Sequence, residues 1–260
     1  MRRQNVMENE TLKMLESLRS VHWNFNEKPV SREDIETIVQ HSMKAANSDN
    51  LTDYSVIVVT DPEVLNTITG GESQGKAATC LVYAIDQTRI LRCAKALGYD
   101  QYQPLHRLYN FFIMLGDVFA AAQTAVVAAK ALGIDSLMTN FSYRHHPKEI
   151  MKLLNLPEAY CFPVIQVVLG YSDQDPKQTR GRLPMKHVLH YDQYQPASEA
   201  EVQAMIEEMD QVYPEYISDQ YKHALDWYFN EWFIEWYDEP TYRELCECLT
   251  ASKLVAEKNL

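Results

Sequence analysis

Leu108-Tyr109-Asn110-Phe111-Phe112-Ile113-Met114-Leu115-Gly116-Asp117-Val118-Phe119-Ala120-Ala121-Ala122-Gln123-Thr124-Ala125-Val126-Val127-Ala128-Ala129-Lys130-Ala131-Leu132 runs unbroken to Gly133. Drawn as a helix, it is apolar on nearly every face. Such a helix lies at the centre of a core or in an interface. Its many Ala side chains admit a close neighbour. Gly133 is placed to end it in the left-handed conformation that other residues resist.

Shorter elements flank this helix. Asn9 to Leu18 reads as a helix with Leu12, Met14, Leu15 and Leu18 apolar. Ser31-Arg32-Glu33-Asp34 starts a second, with Ser at the N-cap and acidic residues in the first turn. Its inner face is Ile35, Ile38, Val39 and Ser42, and it is expected to run to about Ala46. Ser55–Thr60, Thr79–Ile85 and Phe162–Gly170 are apolar, β-branched strands. Asp61-Pro62 and Pro147-Lys148-Glu149 open short helices. Strands alternate with helices too sparsely for a doubly wound sheet, so the pattern predicts a mixed α+β layer fold.

After Pro196 the texture changes. Glu199–Met209 reads as a helix, followed by Tyr213, Tyr216, Tyr221, Trp227, Tyr228, Phe229, Trp232, Phe233, Trp236 and Tyr237. Ala197–Leu260 carries 15 acidic and four basic residues, nearly all of the chain's net charge of −12. The expected division is therefore residues 1–196 as the main domain and 197–260 as an acidic, aromatic helical extension. The extension would pack on the body or on a partner subunit.

The acidic balance argues against nucleic acid or an anionic membrane as the main partner. No apolar run is read as transmembrane and no signal region opens the chain, so a cytoplasmic location is expected. The five cysteines, an odd number mostly far apart, imply no disulfide framework. No metal site is expected either. Cys246-Glu247-Cys248 lacks a second ligand pair, and His145-His146 are adjacent residues that rarely point at one ion.

Past the last strand lies Gln178-Thr179-Arg180-Gly181-Arg182-Leu183-Pro184. Two arginines one residue apart can point the same way and grip one anion, and Arg matches phosphate geometry. Taken alone, the pair also reads as two solvated surface arginines.

Several stretches share the order of one family. They are Arg19-Ser20-Val21-His22, Ala45-Ala46-Asn47-Ser48-Asp49-Asn50-Leu51, Thr67-Ile68-Thr69-Gly70-Gly71-Glu72, and Gly116-Asp117 through Gly133-Ile134. They continue with Leu153-Leu154-Asn155-Leu156-Pro157-Glu158, Leu169-Gly170-Tyr171, Arg180-Gly181-Arg182-Leu183-Pro184 and His190-Tyr191-Asp192-Gln193-Tyr194. In order and spacing the chain resembles the FMN-dependent nitroreductase family, most of all its NADPH-dependent flavin reductase and oxygen-insensitive nitroreductase branch.

That resemblance implies a three-layer α+β fold with a mainly antiparallel sheet, an intertwined homodimer and non-covalent FMN. It places Arg19, Ser20 and His22 at the flavin and its phosphate, with His22 standing where the family has arginine. Asn47, Ser48 and Asn50 fall at the ribityl chain, Glu72, Thr139 and Asn140 at the ring, and Arg180 with Arg182 at the phosphate. Met138–Tyr143 replaces a glycine pair, so either the ring is shifted or its substrate face is partly covered by Phe141 or Tyr143. The implied activity is ping-pong hydride transfer from NADPH or NADH to a small acceptor such as a nitroaromatic, quinone or flavin. The chemistry resides in the flavin, and no side chain serves as a catalytic acid or base. The alternative is a flavin-binding relative with lost or altered reductase activity, acting as a binding module.

Overall fold

Among the described residues four strands form one sheet: β1 (Tyr54–Val59), β2 (Thr79–Asp86), β3 (Asp135–Thr139) and β4 (Cys161–Gly170). Their order is β1-β2-β4-β3, and every pairing is antiparallel. Both central strands, β2 and β4, are buried at every residue. A strand covered on both faces reads as a continuous apolar run rather than an alternation. Pro163, which cannot donate to the ladder, sits where the β2–β4 register shifts.

Side-chain alternation splits the core into two layers, one on each face of the sheet. On one face Leu81, Tyr83, Ile85, Val167 and Leu169 meet two helices. These are α2 (Arg32–Ser42), through Ile35 and Ile38, and α5 (Leu108–Ala131), through Met114, Val118, Ala121 and Ala125. On the other face Cys80, Val82 and Val168 meet Leu65 and Ile68 of α3 (Pro62–Ile68) and Ile150 of α7 (Pro147–Leu153). The result is the expected three-layer α+β arrangement. The remaining helices of this region are α1 (Glu10–Glu16), α4 (Thr88–Ala96) and α6 (Phe141–Arg144). Local caps define the boundaries: Ser31 accepts the Asp34 N–H, and Asp61 accepts those of Glu63 and Val64.

The computed structural model describes residues 9–22, 24–71, 79–102, 108–173, 181–233 and 239–256. They divide into two compact units, Met1–Asp175 with Pro240–Leu260, and Pro176–Glu239. The second unit thus begins at Pro176, ahead of the expected division at residue 196, and Pro240–Leu260 groups with the first. There α10 (Glu239–Ala251) contributes Cys248 and Leu249, with Leu254 just beyond, to the first core layer. The Ser252 carbonyl accepts the Tyr160 N–H at 2.6 Å. Glu244 accepts the Lys148 N–H at the start of α7, where a helix favours negative charge.

Helix α5 is two-sided. One stripe lies in the core, while Tyr109, Phe112, Ile113 and Phe119 on another are 52%, 59%, 44% and 36% exposed. By length and composition this helix reaches what a membrane span requires, correcting the expectation that no apolar run does. Its end is as expected: Gly133 has φ 72°, and the Ile134 N–H returns to the Ala129 carbonyl.

The second unit holds α8 (Glu199–Val212), capped by Ser198 and Glu201 in a reciprocal box, and α9 (Ala224–Trp227). The Tyr216 and Trp227 rings stack at 4.2 Å, and Phe229 and Phe233 stack at 5.9 Å on one helix face. Both phenylalanines are more than half exposed.

Gln166 is the polar tie of the second core layer. Fully buried, it donates to the Ile68 carbonyl at 2.7 Å and accepts the Ser142 N–H at 3.0 Å. Gln166→Leu is expected to destabilise the chain by about 1–3 kcal/mol for each of the two groups it orphans, measured by denaturant unfolding.

Candidate cofactor site

The segment after α1 is pinned to the edge of the sheet. The Val21 N–H donates to the Ser136 carbonyl at 3.0 Å, and Val21 and Phe25 are buried. Gly170 leaves room for Phe25: a Cβ there would lie 2.8 Å from its ring. Asn26 then pairs with Tyr171 through its backbone and with Asp173 through its side chain. With Val21 turned inward, Ser20 and His22 are left exposed. Arg19 lies 3.6 Å from Asp135 with 18% of its side chain exposed, so this guanidinium faces an acid.

The Asn47–Asn50 loop hangs on α5. Both oxygens of Asp117 accept the Ser48 N–H at 3.0 Å. Ser48 therefore offers a ligand its hydroxyl, its amide being engaged. Asn47 folds onto its own loop, accepting from the Thr52 N–H and donating to the Ala45 carbonyl, both at 3.5 Å. Asp49, Asn50 and Thr52 are left-handed, with φ of 56°, 55° and 55°. From α4, Arg89 donates to the carbonyls of Thr52 and Tyr54, each at 2.7 Å.

Three carboxylates crowd this loop. Burial pushes Asp53 above its usual range; Gln87 counters, while Asp117 and Asp49 add to the rise. One Asp53 oxygen is buried without a hydrogen-bond partner. Asp117 is raised in the same way, by burial first, against the Ser48 N–H and with Asp49 reinforcing it.

Thr139 ends β3, and Asn140 stands between it and α6. The Thr139 hydroxyl accepts the Phe141 N–H at 3.3 Å. Asn140 donates to the Tyr143 hydroxyl at 2.9 Å and accepts from Arg144 at 3.2 Å. Phe141 packs against the second core layer and Tyr143 against the first. His145 stacks on Phe141 at 4.5 Å, and His146 precedes α7 at φ 49°. Among the described residues no three His, Cys, Asp or Glu side chains gather as a metal site.

In the second unit Arg182 is exposed, donating to the Gly181 carbonyl at 3.0 Å. Arg180 and Glu72 lie outside the described residues. The sequence reading missed Asp117, Asp53 and Arg89. For Arg89 a local signal existed: Asp86, three residues before it, lies 3.4 Å from its guanidinium.

The class of protein is set by the fold: a layered α+β arrangement around an antiparallel sheet. Residues 15–171 match the nitroreductase family, and the chain belongs to it. An NADPH-dependent oxidoreductase of Staphylococcus epidermidis is 28% identical over 75% of this chain and 78% of its own. The FMN reductase [NAD(P)H] of Bacillus subtilis is 26% identical over 96% of this chain and all of its own. The solved NADPH:FMN oxidoreductase of Vibrio harveyi, complexed with NAD+, has a TM-score of 0.76 and 25% identity. It covers 96% of this chain and 100% of its own.

The carboxyl cluster gives a pH signature. A native carboxyl with a raised pKa takes up its proton before the unfolded chain does. Its contribution to stability thus grows as pH falls through the native value and is complete below the ordinary one. Asp53→Asn is expected to raise the melting temperature at neutral pH and to remove part of the gain on acidification, read as the difference from the parent across a pH series.

Proposed function

We propose that the chain is an FMN-dependent NAD(P)H oxidoreductase reducing small acceptors such as nitroaromatics, quinones or free flavin. The observation that carries this reading is its membership of the nitroreductase family, with an NAD(P)H-linked FMN reductase among relatives matched over their full length. Bound FMN would supply the hydride chemistry, taking hydride from NADPH or NADH and yielding it to the acceptor in ping-pong order.

The side chains are assigned binding and orienting roles. Arg182, with Arg180, takes the flavin phosphate, the anion Arg is best shaped to hold. Arg19, Ser20 and His22 contribute a guanidinium, a hydroxyl and an imidazole to the flavin. The Ser48 hydroxyl and the Asn47 and Asn50 amides serve the ribityl hydroxyls. Glu72, Thr139 and Asn140 are assigned to the ring. No side chain is assigned as a proton donor or acceptor.

We also infer a homodimer through α5. The stripe of Tyr109, Phe112, Ile113 and Phe119 is continuous, apolar and exposed, as subunit interfaces are. Phe112→Glu is expected to convert a dimer to monomers in analytical ultracentrifugation; a monomeric parent would refute the assignment.

Purified protein is expected to be yellow or to become so with added FMN, and NADH or NADPH should bleach it anaerobically. Protein that takes up no FMN sinks the proposal. Arg182→Ala removes charge-assisted hydrogen bonds of about 1.5–3 kcal/mol, so FMN affinity should fall roughly ten- to hundred-fold. An unchanged affinity refutes the phosphate assignment.

A further inference from the structure

Helix α8 presents Glu201, Glu208 and Val212 along one face, since positions seven and eleven residues on return to nearly the same side. The segment from Gly181 to His187 is laid against that face. A Cβ built on Gly181 would lie 3.5 Å from Cγ2 of Val212. Lys186 Nζ is 2.8 Å from Glu208 Oε1, and His187 Nε2 is 2.5 Å from Glu208 Oε2. One carboxylate thus grips two consecutive residues of the short 3-10 turn Met185–His187. The His187 side chain is 5% exposed, so the turn is seated rather than loosely paired. The Lys186 hydrogen bond holds the Glu208 carboxyl below its usual range, against a desolvation that raises it, with His187 adding to the fall.

Arg182 lies between these anchors, directly after Gly181 and four residues before Lys186. Its side chain is exposed and extends from a backbone backed by α8 on one side and clamped by Glu208 on the other. A guanidinium on a free loop must lose backbone freedom when it grips an anion. Pre-anchoring removes that cost before the ligand arrives.

We propose that Glu208 is a positioning residue for the phosphate contact of Arg182. Through Lys186 and His187, and with Val212 backing Gly181, α8 presents the guanidinium to the phosphate of the flavin nucleotide. This rests on the assignment of Arg182 to that phosphate. The so-called extension thereby has a part in cofactor binding that its acidic composition hides.

Flavin fluorescence titrations of the full chain test it, comparing FMN with riboflavin, which lacks the phosphate. Glu208→Ala is expected to weaken FMN binding roughly ten-fold while leaving riboflavin affinity unchanged. Glu208→Gln, which keeps an acceptor between Lys186 and His187, should recover part of the loss. Combined with Arg182→Ala, Glu208→Ala should add nothing further. The proposal is overturned if Arg182→Ala weakens FMN and Glu208→Ala does not, if Glu208→Ala weakens both flavins alike, or if the two losses add. An Arg182→Ala variant that binds FMN normally removes the phosphate assignment and this inference together, and that outcome is read in the single arginine variant. Should circular dichroism show Glu208→Ala unfolded, Glu208→Gln carries the same comparison, with a loss confined to FMN supporting the role and no loss, or an equal one, refuting it.

Discussion

Packing one stripe of α5 onto the sheet is the interaction on which the first unit depends. Met114, Val118, Ala121, Ala122, Ala125 and Ala129 are buried at the surface formed by β2, β3 and β4. The alanines matter because a small side chain brings the helix axis close to the strands, and close approach excludes water from both. The same helix is apolar on its other side, where its own unit does not cover it. A helix built this way is half a core, and its remaining half calls for a second surface. The fold and the inferred assembly thus follow from one sequence property.

The candidate cofactor loop is tied to that helix. Asp117 reaches Ser48 from within α5, so the loop's position is set by the packing of α5 on the sheet. The arrangement carries strain. A β-branched residue at positive φ is an outlier, and Thr52 is held there with Arg89 on its carbonyl. Asp49 and Asn50 adopt the same conformation more readily, since their short polar side chains tolerate it. Beside them sit carboxylates that burial makes costly to ionise. Positive φ and half-buried carboxylates thus concentrate their cost in one loop, which the packing around it must offset.

Much of this was legible in the sequence, and the failures have physical causes. β2 and β4 announce themselves because strands buried on both faces must be apolar throughout. The N-caps at Ser31 and Asp61 are local hydrogen bonds written in adjacent residues. β3 was missed because Asp135-Ser136-Leu137-Met138-Thr139 is short and weakly β-forming. It becomes a strand by pairing with β4 over five residues, a tertiary effect. α4 was missed because it carries no fully buried residue and follows β2 after a single residue. The Asp117–Ser48 contact spans 69 residues, and nothing local records it. α10 returns to the first unit for a similar reason: Cys248 and Leu249 find their partners in the core layer beneath α2 and α5, not in the aromatic stretch before them.

Charge poses the remaining question, since Arg182 shares its unit with the acidic helix α8 in a chain of net charge −12. Long-range attraction cannot draw a phosphate to such a surface, because the summed field has the wrong sign. What is left is short-range complementarity. Within the second unit the α8 carboxylates that face the Lys186–His187 turn are themselves engaged: Glu208 by Lys186 and His187, and Glu201 by the Ser198 cap. A carboxylate already hydrogen-bonded to cations competes less for a neighbouring guanidinium than a free one does. Screening by salt shortens the reach of the rest to within about 10 Å. The acidic helix can therefore hold the arginine segment in place without quenching the arginine.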